Sequence, residues 1–236
     1  MANPADGIFR GAQPDLTIRK GNAVYHALKS AILLRQLEPE ESIGEQQVAG
    51  ELGCSQGTVR EALLRLQEDG LVERRGYRGT LVSVTTMAEA AEMAMIRIRL
   101  ETEGIRRAQK TYDAGRRHEL VDILERMERA GENGDAYSLS ELDRLFHLTL
   151  FDAARMAILK PVLSRCALHM HRYTFANDPQ QKLTLSPVEL HAPILNALDA
   201  GDPDGAARAV KSHIEAVLER WSPELLRTIQ GRSEAG

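Results

Sequence analysis

Asp143 and His147 stand four residues apart in "SELDRLFHLTLFDA", residues 140–153. Four residues is about one helical turn, so both side chains leave one face, amid Leu142, Leu145, Phe146 and Leu150. A carboxylate and an imidazole turned toward an apolar interior have three uses: a satisfied polar pair, an acid–base pair, or two ligands of a metal ion. A second spacing bears on the choice. His191 and His213 lie symmetrically about residue 202, inside "LDAGDPDG", the turn between two helical runs. Each is about ten residues, or about 15 Å, from that turn. So short a connection makes the helices antiparallel neighbours, which brings both imidazoles to the same height. Helices about 8–10 Å apart can then place two rings around one ion. Asp143 and His147, from another helix, complete three nitrogens and one oxygen, a set of the kind built in bundle cores from facing helices. Zn²⁺ is the first expectation; Ni²⁺, Mn²⁺ and Fe²⁺ also suit these donors, and spacing does not separate them.

Such a cluster needs a helical scaffold, and the chain has the composition for one. Of 236 residues, 43% are hydrophobic, 27% charged and only 4% aromatic, with the helix formers Ala, Leu, Glu and Arg prominent. Beyond Val84 the periodicity predicts helices over 86–111, 116–131, 136–153, 155–175, 187–199, 203–221 and 223–230, broken by Gly115, "GENGD", the Asp152–Arg155 junction, "NDP", "AGDP" and Pro223. The expectation is an all-α bundle of six to seven helices over 86–236. Upstream the texture differs. Residues 1–20 are rich in Pro, Gly, Asp and Asn without periodicity and read as a mobile arm. Residues 21–85 read as a separate domain: a helix from Asn22, a short helix in "GEQQVAGEL" closed by Gly53, and a third, "QGTVREALLRLQEDG", capped by Ser55 and ended by Gly70. Two β-prone runs, Leu71 to Arg74 and Thr80 to Val84, then flank a turn with Gly76 and Gly79, which is a hairpin. The whole is mainly α: a winged helix-turn-helix of three helices plus a β-hairpin wing, followed by the bundle.

The net charge of −4 and pI near 6.0 give no general affinity for nucleic acid. Residues 1–85 alone hold ten Lys and Arg against eleven Asp and Glu. Placement matters more than the total. Val59, Ala62, Leu63 and Leu66 form the buried stripe of the third helix, leaving Gln56, Gly57 and Arg60 at its N-terminal end, where a reader helix meets base edges. Thr58 and the first helix amides suit a phosphate. Arg74, Arg75 and Arg78 fall within five residues on the wing, a local basic footprint on double-stranded DNA. Cys54 and Cys166, 112 residues apart, read as reduced thiols. The opening "MANPADGIFRGAQPDL" has no apolar signal segment and no run is long enough to span a membrane, so the expected setting is cytoplasmic.

Two resemblances sharpen these readings. "VYHALKSAILLRQLEPEESIGEQQVAGELGCSQGTVREALLRLQEDGLVERRGYRGTLVSV" resembles the DNA-binding domain of the GntR family of bacterial transcription regulators, most closely in "TVREALLRLQEDGLVERR" and "RGTLV". The resemblance implies operator contacts by Gln46, Gln56, Gly57, Thr58, Arg60 and Gly76. This chain departs from the family pattern at Gln56, where Arg is usual, and at Gly57-Thr58, where Thr-Pro is usual. Arg35 and Glu40 replace two family glycines. The second half resembles the FCD ligand-binding domain: "MIRIRLETEG" matches its Arg-x-x-Leu-Glu pattern, "DRLFH" its Asp-x3-His, and "ELHAPILNALDAGDPDGAARAVKSHI" its last two helices. The resemblance implies a divalent metal on Asp143, His147, His191 and His213, and a small carboxylate effector beside it. The family's early pocket arginine corresponds to Arg97. Arg172, close to His169 on one helix, is a second candidate contact, and His169 is favoured over His171 as the ring facing the pocket. Where the family often has Ser-Gly-Asn, this chain has Ala154-Arg155-Met156.

The leading expectation is a homodimeric, metabolite-responsive regulator, a repressor, that binds a palindromic operator and is not an enzyme. Two rivals belong to other classes. A metal-dependent enzyme would need an acid or base beside the ligands and leaves the helix-turn-helix without a role. An architectural DNA-binding protein, whose helical domain only dimerises, would take no metal and answer to no small acid.

Overall fold

The computed structural model describes residues 20–177 and 186–233. The expected mobile arm lies, but for its last residue, outside the described residues. The chain divides into two compact units, 1–85 and 86–236.

In the first unit, α1 (Lys20–Leu33), α2 (Glu45–Glu51) and α3 (Gln56–Glu68) pack around Val24, Leu28, Ile32, Val48, Val59, Leu63 and Leu66. Ser55 caps α3, its side chain accepting a hydrogen bond from the Thr58 amide at 3.1 Å, which satisfies one of the helix's open N–H groups. The predicted hairpin forms from β2 (Val72–Arg74) and β3 (Thr80–Val82), two residues shorter at its far end than the β-prone run. A further strand, β1 (Ser42–Ile43), pairs antiparallel with β3, giving the order β1-β3-β2. Two residues carry no legible period; this strand exists only because β3 offers it an edge. The chain reaches β1 through Arg35 and Glu40, with φ of 59° and 65°. These are the two positions at which the family pattern has glycine, and the backbone keeps the left-handed turn without it.

The second unit comprises α4 (Met87–Ala108), α5 (Ala114–Glu132), α6 (Ala136–Ala153), α7 (Lys160–Asn177), α8 (Pro187–Asp199), α9 (Pro203–Trp221) and α10 (Pro223–Ser233). Two predicted helices are subdivided: the last turn of the first is a 3-10 turn, Gln109–Thr111, and α7 is preceded by another, Ala157–Leu159. The break before α7 falls at Arg155, φ 55°, where the family pattern again has glycine. Around the common core, α4 packs on α6, α7 and α9, and α8 on α5 and α9. Gly104 is required by this packing, since a Cβ there would lie 2.7 Å from the Phe151 ring of α6. Asp202 caps α9, accepting from the Gly205 amide at 2.8 Å, and fixes the turn that returns α9 along α8. That antiparallel return sets His191 opposite His213.

Candidate functional site

Asp143 and His147 come from α6, His191 from α8 and His213 from α9. One donor atom of each lies within 4.8 Å of all the others. Asp143 Oδ1 is 3.3 Å from His191 Nε2, 3.7 Å from His213 Nε2 and 3.8 Å from His147 Nε2. The His147 and His213 Nε2 atoms are 3.2 Å apart. All three imidazoles are buried. Leu145, expected on the same inward face, is 40% exposed instead, because two residues beyond Asp143 is about half a turn around the helix.

Hydrogen bonds fix which nitrogens face inward. His191 Nδ1 donates to the Pro187 carbonyl at 2.7 Å, one turn back on its own helix, so its lone pair lies on Nε2. That Nε2 is buried without a hydrogen-bond partner. His147 Nδ1 is bonded to Glu101 Oε2, which turns its Nε2 toward His213. Burial, outweighing Glu101, holds the His147 pKa below its ordinary value, and burial together with His191 takes that of His213 down to about 3. Neutral rings whose lone pairs converge repel unless a cation lies among them. A four-coordinate ion with bonds of about 2.0–2.1 Å needs donors roughly 3.3–3.4 Å apart, close to the separations found. The donor set therefore fits a divalent metal, and its chemistry leaves the identity of the ion open.

A second layer supports the first. Arg97 Nε donates to Glu101 Oε1 at 2.6 Å, and Arg97 Nη2 lies 3.7 Å from Asp143 Oδ2. Burial acts to raise the Glu101 carboxyl, but His147 and Arg97 outweigh it and hold it below the carboxylate range. For Asp143 burial pushes the same way and is overcome by the surrounding imidazoles, so that it too stays ionised. His171 Nε2 donates to Asp143 Oδ2 at 3.0 Å, leaving Oδ1 for the cluster.

A cavity of about 60 Å³ opens beside the cluster. Asp143, His171, His191 and His213 form one side of it, and Met127, Leu139, Phe175, Val217 and Trp221 line much of the rest. Arg97, His169 and Arg172 are buried but do not line it. The ring that faces the cavity from α7 is His171, not the favoured His169.

In the first unit, Gln46, Ser55, Gln56, Gly57 and Arg60 are exposed at the N-terminal ends of α2 and α3, with Thr58 half-buried beneath them. Arg74, Arg75, Gly76 and Arg78 are exposed on the wing, and Tyr77 at its tip is 100% exposed. A groove between α3 and the wing is lined by Glu45, Arg60, Arg74, Gly76 and Gly79. Glu45 grips Arg60 through both oxygens, at 2.6 and 3.2 Å, and lies 3.9 Å from Arg74. Arg75 pairs with Glu73 and reaches Glu40. The groove thus gathers two arginines, Arg60 and Arg74, around one carboxylate.

Comparison with known proteins decides the family. Residues 20–82 match the gntR family of bacterial regulatory proteins, and residues 92–216, more than half the chain, match the FCD domain. The chain belongs to the GntR family, with an FCD domain. This GntR regulator is 32% identical to a probable D-xylose utilization operon transcriptional repressor of Paenarthrobacter nicotinovorans, over 75% of its own length and 77% of that protein. It is 26% identical to the HTH-type transcriptional repressor RspR of Escherichia coli, over 83% and 86% of the two chains. Among solved structures, E. coli McbR/YncC superposes with a TM-score of 0.72 at 24% identity, covering 86% of this chain and 97% of that one, which shows the shared fold. The regulator is a metabolite-responsive, DNA-binding transcription factor; its relatives are regulators, not enzymes. No helix among the described residues is long and apolar enough to cross a membrane.

Three residues of the regulator's sites escape a reading of its sequence for ligands and arginines. Glu101 stands one turn after Arg97 in "RIRLE", so their shared face was a usable signal. Glu45 precedes Gln46 at the start of α2, but nothing local says that it meets Arg60, fifteen residues on. His171 was open to a choice against His169 that only the packing of α7 makes.

Proposed function

We propose that the GntR regulator is a homodimeric, cytoplasmic repressor that senses a small carboxylate at a metal held by Asp143, His147, His191 and His213. The observation that carries this reading is the convergence of four donor atoms from three helices beside a cavity, with His191 Nε2 buried and without a hydrogen bond. Zn²⁺ is the first candidate, with Ni²⁺, Mn²⁺ and Fe²⁺ as the others. When bound, the metal supplies a positive centre that attracts a carboxylate. The chain's own residues do the rest. Asp143 and the three imidazoles hold the ion, Glu101 and Pro187 fix the rings, and His171 keeps Asp143 turned to one oxygen. Arg97 balances Glu101 and Asp143 from below rather than reaching the effector, and His169 and Arg172 support the α7 side of the bundle.

On DNA, Arg60 and Gln56 read base edges from α3, assisted by Gln46. Ser55, Gly57 and Thr58 present the helix N-terminus to a phosphate. Arg74, Arg75, Gly76 and Arg78 follow the backbone from the wing. The two curated relatives compared above are repressors by name, which supports the same sign here. Coupling runs through α4, the first helix after the wing strand in the chain: it carries Arg97 and Glu101, so a change at His147 reaches it directly. An effector shifts operator affinity only so far as it prefers one arrangement of that helix.

Metal content of the purified protein, together with its melting temperature with and without Zn²⁺ or Ni²⁺, tests the reading. Bound metal and a metal-dependent rise in Tm are expected, followed by a change in operator affinity when carboxylates are added. A metal-free protein whose Tm ignores both ions would overturn the metal-sensing proposal.

A further inference from the structure

Resting on the carboxylate reading above, we infer that the cavity selects a compact monocarboxylate with a branched or aromatic apolar body, and that Val217 and Trp221 set this selectivity. Among the described residues a second carboxylate has no counter-charge to meet: none of their Arg or Lys side chains lines the cavity, and Arg97 lies outside the lining with its Nε on Glu101. The anionic Asp143 lines the same space and repels a further negative charge.

A polyhydroxylated body fares no better. The Ser140 hydroxyl donates to the Tyr137 carbonyl at 2.9 Å, and that of Thr174 to the His171 carbonyl at 2.9 Å. Both hydroxyls therefore turn only lone pairs toward a ligand. His171 spends its Nε2 on Asp143. The indole N–H of Trp221 is buried without a partner, a single neutral donor that suits one carbonyl or ether oxygen and not a row of hydroxyls. Desolvating several hydroxyls against Leu139, Phe175 and Val217 is unfavourable, while an isopropyl or phenyl group gains there what it loses in water.

The test is calorimetric titration of the Zn²⁺-reconstituted full-length protein with isovalerate, malonate and glycerate, three acids of matched size. Isovalerate is expected to bind at least about tenfold tighter than either of the others. Trp221→Ala should weaken isovalerate by about tenfold, weaken glycerate by less, and leave the metal content unchanged. Val217→Thr, nearly isosteric and able to fold where the larger truncation does not, should narrow the preference for isovalerate about threefold or more. Tighter binding of malonate or glycerate, or a preference unmoved by both substitutions, overturns the apolar-body assignment and leaves carboxylate sensing standing. Failure of all three acids, or equal binding after the metal is stripped by a chelator, overturns both.

Discussion

Each unit contains an arginine held by a glutamate at 2.6 Å: Arg60 with Glu45 in the first, Arg97 with Glu101 in the second. The distance is the same and the consequence is opposite. Arg60 lies in water, where an ion pair is weak, screened and readily exchanged. It can leave Glu45 for a phosphate or a guanine edge at little cost, so Glu45 holds it ready without locking it. Arg97 is 1% exposed. There, separating the pair would strand a charge in the core, so Arg97 is committed to Glu101 beside the histidine–aspartate cluster. Burial, and not the contact, decides whether an arginine is a probe or a strut.

The largest effect expected from this contrast is at the buried pair. Arg97→Ala or Glu101→Ala should cost about 3–5 kcal/mol in denaturant unfolding, because each leaves its partner unpaired. A loss below about 1 kcal/mol would mean that the buried pair is as exchangeable as the exposed one. Next comes the ion. His191→Ala and His213→Ala should each lose bound metal by elemental analysis, whereas the exposed His118→Ala keeps it. In the parent protein, metal at about a hundred times its Kd should add about 2.7 kcal/mol, and a chelator should remove that gain. Glu101→Gln, which leaves every ligand in place, should weaken metal binding by about 10–100-fold through His147.

Smaller is the effect at the exposed pair. Arg60→Ala should weaken operator binding by on the order of tenfold or more while leaving the melting temperature unchanged. Unfolding instead of lost affinity would make Arg60 a strut like Arg97 and dissolve the comparison. Smallest is the relief of backbone strain. Glu40→Gly in the first unit and Arg155→Gly in the second should each stabilise by about 1 kcal/mol, read by denaturant midpoint. Unlike the ion pairs, the two should match, since a left-handed φ is a local cost that ignores burial.

The organisation of both sites was legible because it follows local period. The turn at "AGDP" and the equal offsets of His191 and His213 fix two imidazoles to one level of an antiparallel pair. The i, i+4 spacing adds Asp143 and His147. The cap at Ser55 and the stripe from Val59 to Leu66 define the reader helix in the same way. Glycine replacement was legible as a departure, yet only φ values of 55–65° show that Arg35, Glu40 and Arg155 keep the turns that glycine would make.

Local pattern along the chain accounts for the helices, the wing, the three-histidine, one-aspartate set and the exposed arginines of the first unit, all of which depend on neighbours within a few turns. The rest came from packing. It added β1 to the wing, because a two-residue strand forms only where another strand supplies the hydrogen bonds. It brought Glu45 to Arg60 and Glu101 to His147, and it turned His171 toward the cavity and kept His169 out of it. It also placed Arg97 in the core against Glu101, outside the cavity lining. Partners distant in sequence and the dielectric around a charge are properties of the packed chain, which no spacing along it encodes.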